Sequence, residues 1–193
     1  MASDVDTRTR ILEAALRLLE AQRGQRVRMG DIARAAGISR QAVYLHFASR
    51  AELLAATTLY VDEQLGLEQR LARSRAAGSG TGRLDAYIEF WGNYLPEIYG
   101  VARALLDAQA NDAAAAAAWN ERMQAMRDGC RAAIAALESD GRLAKRWSTE
   151  EATDLLWTML SVRNWEQLTQ ACGWSTSQYI RRMQAVARRT LQE

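Results

Sequence analysis

Ile11, Leu12, Ala15, Leu16 and Leu19 recur three and four positions apart, the period of an amphipathic helix. The pattern predicts a helix from about Thr7 to Arg23, with Gly24 placed for a left-handed C-terminal cap. Two short segments follow, Met29–Ala36 and Arg40–Phe47, separated by Gly37-Ile38-Ser39. Gly37 permits the turn that ends the first, and the Ser39 side chain can accept an amide hydrogen bond at the start of the second. Ile32, Ala33, Ala36, Ile38, Val43 and Phe47 lie on faces that can share one small core with the first helix, and the small Ala33 and Ala36 allow close approach. Ser49-Arg50-Ala51-Glu52 then has the form of a capping box and opens a helix running to about Arg75.

Gly78-Ser79-Gly80-Thr81-Gly82 reads as a flexible linker. Beyond it the pattern predicts helices at about 83–95, 96–109, 113–139, 149–170 and 175–191, with Pro96 in a first helical turn, Gly141 as a stop and Gly173 as a break. The alanine run 113–118 has high helix propensity, and Glu150 and Glu151 suit the first turn after Thr149, where the helix dipole favours acids. The expected fold is therefore all-α with about nine helices: an N-terminal three-helix helix-turn-helix domain and a C-terminal helical domain.

Composition agrees, since one proline in 193 residues, 49% apolar content and Ala/Leu/Arg/Glu-rich stretches leave little room for strands. Charge adds a modest asymmetry: residues 1–60 hold nine arginines against six acids, and the remainder sixteen basic residues against seventeen acids. Cys130 and Cys172 are far apart and lack metal-ligand spacing, as expected of reduced thiols in a cytoplasmic protein. The N-terminus lacks signal-peptide character and no run approaches the roughly 18 apolar residues of a membrane span, so a cytoplasmic location without membrane contact is expected.

The stretch Met29-Gly30-Asp31-Ile32-Ala33-Arg34-Ala35-Ala36-Gly37-Ile38-Ser39-Arg40-Gln41-Ala42-Val43-Tyr44-Leu45-His46-Phe47, followed by Ser49-Arg50-Ala51-Glu52-Leu53, resembles the DNA-binding region of the TetR family of bacterial repressors. Ile-Ala, Ala-Gly-Ile-Ser, Tyr-x-His-Phe and basic-x-Glu-Leu carry the likeness, over about a quarter of the chain. It implies a helix-turn-helix DNA-binding domain over residues 1–55, and an effector-binding and dimerisation domain over 56–193. On helix 40–47, Val43 and Phe47 face inward, which leaves Arg40, Gln41 and Tyr44 outward. Arg suits guanine O6/N7, Gln suits adenine N6/N7, and Tyr can meet a phosphate or a thymine methyl. Ser39 and its neighbouring amides suit a phosphate. The resemblance further assigns backbone contacts to Arg28, His46 and Arg50, with His46 read either as a phosphate donor or as a hydrogen-bonded spacer. Leu45 is read either as packing or as an exposed apolar contact. Two departures stand out: Arg28 replaces a frequent Thr or Ser and so loses a side-chain cap worth about 1 kcal/mol, and Arg50 replaces a frequent Lys while keeping the charge.

The same resemblance implies an effector pocket in the C-terminal domain. Tyr87, Trp91, Tyr94, Trp119, Met123 and Met126, with Trp157 to close it, would suit a hydrophobic or aromatic small molecule, and each has core packing as its competing role. Ala152, Leu155, Leu156, Met159 and Leu160 form one apolar stripe, and Ile180, Met183, Val186, Ala187 and Leu191 another, so two copies could build a four-helix bundle. Such a homodimer would set two heads about 34–36 Å apart on a near-palindromic double-stranded operator. No catalytic residue, metal site or cofactor is expected: the single histidine lies in the DNA-reading segment, and no nucleophile elbow or phosphate loop is present. The reading is thus a ligand-released repressor. Its rivals are activation in place of repression, a DNA binder that is constitutive or switched by Cys130 or Cys172, and, more remotely, an enzyme.

Overall fold

The structure is a computed structural model that describes residues 2–25 and 27–193. Ten helices form, and no named strand occurs among the described residues: α1 (Ala2–Ala21), α2 (Met29–Ala36), α3 (Arg40–His46), α4 (Arg50–Gln64), α5 (Leu67–Arg75), α6 (Gly80–Ala108), α7 (Ala113–Ser139), α8 (Thr149–Met159), α9 (Val162–Glu166) and α10 (Thr176–Leu191), with a π turn at Gln167–Ala171 after α9. The helices divide into two compact units, one of residues 1–65 and 97–121, the other of residues 66–96 and 122–193. Both α6 and α7 contribute residues to each unit.

In the first unit, Ile11, Leu12 and Leu19 of α1 meet Met29, Ile32, Ala33 and Ala36 of α2, Val43 of α3 with Phe47 just beyond it, and Leu53 and Leu54 of α4. Val101, Ala104 and Leu105 of α6 and Ala115 of α7 complete this core. The predicted small core is present, with Ile38 packed at its margin. At the end of α2, Gly37 adopts φ 70°, so that its amide donates to Arg34 O and the Ile38 amide to Ala33 O. That left-handed step turns the chain into α3 at little steric cost because glycine lacks a Cβ. Arg10 secures the same corner by donating to Ala36 O at 2.6 Å, a cation placed on a helix C-terminus.

The second unit packs α6, α7, α8 and α10 around Leu84, Ile88, Tyr94, Leu95, Ile134, Leu137, Leu156, Tyr179 and Ala187, all essentially without exposure. Arg127 of α7 reaches Glu150 and Asp154 of α8, the latter at 2.6 Å, while Arg131 bonds Glu150 at 3.1 Å. Glu150, in the first turn of α8, thus serves both its dipole and the α7–α8 contact. The chain end is tied down by Ala144 N donating to Leu191 O at 2.8 Å and by the Trp147 indole donating to Thr190 O at 2.7 Å.

Several predicted elements differ. The helix expected from 49 to 75 breaks at Leu65-Gly66, where Gly66 takes φ 63°, and resumes as α5. The pair expected at 83–95 and 96–109 is one helix with Pro96 inside it. Proline removes a single backbone donor, and burial of Leu95, Tyr99 and Val101 around it holds the helix together despite that loss. Gly78–Gly82 is not a free linker: Gly80 begins α6, its amide donates to Asp140 Oδ2 at 2.6 Å, and its Cα lies against the α7 backbone at Ala136. The helix expected over 149–170 stops at Met159, and Ser161 caps a new one by accepting from Asn164 N.

Candidate functional site

The N-terminal half of the site is set by local bonds. Ser39 caps α3, its Oγ accepting from Ala42 N at 3.0 Å, and Ser49 caps α4 by accepting from Glu52 N at 3.0 Å. Glu52 does not return to Ser49 as the capping box predicts; it accepts from Ala48 N at 2.7 Å, one residue earlier. At α2 the absent side-chain cap at Arg28 is offset from the other direction, since Asp31 accepts from the Arg28 amide at 3.1 Å. The Arg28 guanidinium is left on the surface.

Arg40, Gln41 and Tyr44 all face solvent on α3 while Val43 and Phe47 are fully buried. The Tyr44 hydroxyl accepts from Arg40 at 3.4 Å, and the Arg40 guanidinium stands 5.6 Å from the Tyr44 ring centre. These two side chains therefore form one ordered column on the exposed face. Leu45 is 83% exposed, which resolves its reading in favour of an exposed apolar side chain. His46 is half-buried and engaged within the fold. Arg50 is half-buried as well; its Nε donates to Val27 O at 3.2 Å, and burial lowers its pKa against the opposing influence of Asp107. It braces α4 against the segment leading into α2, a role the sequence carried no signal for.

A second cluster lies in the other unit. Tyr87, Phe90, Trp91 and Tyr94 follow one another along α6 at helical spacing, with ring centres 5.1–6.4 Å apart. The Tyr87 hydroxyl donates to Met126 O at 2.8 Å, and the Arg70 guanidinium lies 5.7 Å from the Tyr94 ring. Tyr87 packs against Gly129, whose missing side chain makes room for the phenol, and burial pushes its pKa well up. Beside it, Cys130 is fully buried, and that burial raises its thiol to about 12. The Tyr179 hydroxyl is fully buried with no hydrogen-bond partner.

Of the side chains expected at an effector pocket, Tyr87, Trp91, Tyr94 and Met126 are thus brought into one neighbourhood, and Met123 and Trp157 are half-buried in the same unit. Trp119 is not with them: it packs against the core of the first unit. Among the residues expected at a dimer interface, Leu156 and Ala187 are fully buried within the single chain and Met183 nearly so. That burial closes them to a partner and leaves, of the two stripes, the half-buried Leu155, Met159 and Ile180 and the exposed Val186. Among the described residues no helix is long and apolar enough to cross a membrane.

Residues 11–57 match the family described as bacterial regulatory proteins, tetR family. Over 48 residues the chain is 44% identical to the HTH-type transcriptional regulator AcrR of Shigella flexneri, covering 25% of this chain and 22% of that protein. Over 60 residues it is 35% identical to the nucleoid occlusion factor SlmA of Marinomonas sp. (strain MWYL1), covering 31% and 30%. The chain thus spans less than a third of the length of these curated relatives. A solved structure of a transcriptional regulator from Saccharomonospora viridis in complex with choline superimposes with a TM-score of 0.82 at 19% identity, over 98% of this chain and 99% of that one.

Proposed function

Because the chain belongs to the TetR family of bacterial regulatory proteins and is a DNA-binding regulator by its helix-turn-helix, we propose that it acts as a homodimeric repressor released from a palindromic operator by a small molecule. The observation that carries the DNA half of this reading is the exposed face of α3, where Arg40, Gln41, Tyr44 and Leu45 stand together above a buried Val43 and Phe47. Arg40 and Gln41 offer bidentate contacts to guanine and adenine edges; Ser39, Arg28 and the amides at the start of α3 serve phosphates. His46 and Arg50, both half-buried, reach the backbone only from the rim of the head.

The effector half is supported by the aromatic cluster on α6 and by the unpartnered Tyr179 hydroxyl. Burying a hydroxyl without a partner costs about 1–3 kcal/mol, and a bound polar group would remove that cost. Tyr87, Trp91, Tyr94 and Met126, with Met123 and Trp157, suit an apolar or aromatic molecule. A quaternary ammonium head is the finer reading, since ring faces attract organic cations and the Saccharomonospora viridis regulator is in complex with choline. Release follows if the effector binds one arrangement of the dimer better than the other, a coupling of about 1–3 kcal/mol. Since α4 ends at Gln64, the continuous elements available to carry that coupling are α6 and α7.

In vitro transcription from a promoter bearing the selected operator tests the sign. The reading requires transcript to fall as protein is added and to recover with an effector; a rise with protein alone makes it an activator.

A further inference from the structure

Leu45 leaves 83% of its surface in solvent, more than Val5 at 68% or Leu59 at 63%, and it does so in the last turn of the short helix α3. The helix commits Val43 to the core and the chain buries Phe47 right after it, yet this leucine has no cover from its own fold. Gln41 lies four residues earlier and therefore on the same face, one turn away, beside the Arg40–Tyr44 column. Every other exposed side chain in that face carries a hydrogen-bonding group. In a major groove such groups read base edges, and the one apolar feature offered there is the thymine 5-methyl.

We propose that Leu45 is a specificity-determining residue, packing on a thymine methyl one turn of helix from the base that Gln41 reads. This rests on α3 being the base-reading helix. A turn of about 5.4 Å against a base-pair rise of about 3.4 Å puts that thymine roughly one to two base pairs from the Gln41 contact. A phosphate is not the partner, since leucine has no donor and Arg28, Ser39 and the amides at the start of α3 already supply them. Nor is a second protein surface: a single leucine amid Arg40, Gln41 and Tyr44 makes no contiguous apolar patch.

The test uses a duplex selected from a random pool by the full chain, remade with each thymine in turn replaced by deoxyuridine, which deletes the methyl alone. Binding of the wild type and of Leu45→Ala is measured by fluorescence anisotropy. Alanine favours the helix and the site is exposed, so the variant keeps its fold, as circular dichroism checks. One thymine per half-site is expected at which uracil weakens the wild type about fourfold, the equivalent of one buried methyl, with that discrimination lost in Leu45→Ala. Equal binding of all uracil duplexes, an undiminished uracil effect in Leu45→Ala, or a uniform loss across sequences overturns the proposal while leaving operator binding intact. Failure to enrich any duplex removes the base-reading assignment and this proposal with it.

Discussion

Tyr44 and Arg40 lean on one another one turn apart, so neither acts alone. Tyr44→Ala removes the proposed groove contact and frees the Arg40 guanidinium. Operator affinity should drop by about 1–3 kcal/mol, roughly tenfold or more in an anisotropy titration, with thermal stability held within about 0.5 kcal/mol because the site is exposed. Unchanged affinity would take Tyr44 off the reading face. Glu20 is a different case: its carboxylate accepts from the amides of Gly100 and Val101, each at 3.1 Å, yet burial outweighs those bonds and raises its pKa above the ordinary 4.5. A carboxyl raised in the folded state stabilises fully below its unfolded value and loses that contribution as pH climbs through the folded one. Glu20→Gln should therefore flatten part of the fall in unfolding free energy as pH climbs above the ordinary 4.5; a denaturation series with identical slopes for both proteins would refute this. The exposure of Arg40, Gln41 and Tyr44 was legible from the apolar spacing of Val43 and Phe47. Leu45 stands midway between Val43 and Phe47 and so opposite them on the helix, but its apolar side chain left packing open as its role. Glu20 was not legible, as its partners lie 80 and 81 positions away in sequence.

Helix existence was legible where apolar period and caps agreed, as at α2, α3, α7 and α10, and breaks were not where tertiary contact overrode local signals. Pro96 reads as a start only if the residues before it lack a reason to stay helical; Tyr94 and Leu95, both buried, supply one. Gly78–Gly82 reads as a linker until Asp140 and the α7 backbone are seen to hold Gly80. Two glycines inside α6 make this testable. A Cβ at Gly100 would sit 2.2 Å from the Leu19 carbonyl oxygen, a backbone atom that cannot turn aside, whereas at Gly92 it would sit 2.3 Å from Cγ1 of Ile180, a side chain that can. Gly100→Ala should cost about 1–3 kcal/mol or more and lower the melting temperature clearly. Gly92→Ala should cost less and be partly rescued by Ile180→Ala, which removes both Cγ1 and Cδ1, a coupling that a double-mutant cycle measures. Equal costs without rescue would contradict the close approach described for α6 and α10.

At the scale of the molecule, the proposed dimer meets a constraint that apolar periodicity concealed. A stripe cannot tell a core from an interface, and Leu156, Met183 and Ala187 prove to be core. With the proposed partner on Leu155, Met159, Ile180 and Val186, Val186→Glu should shift sedimentation equilibrium toward monomer and weaken operator binding together; a variant that remains dimeric moves the interface elsewhere. The aromatic cluster was visible as composition, but its division was not: Trp119 joined the first unit's core because α7 serves both units. The proposed dimer requires a two-fold-symmetric DNA site. Selection from a random duplex pool by the purified protein, with titration of the enriched duplex at two salt concentrations, is the decisive experiment. A palindrome with half-sites about 10 base pairs apart, bound with strong salt dependence, is expected; an enriched site without symmetry, or no enrichment with and without candidate effectors, overturns the reading.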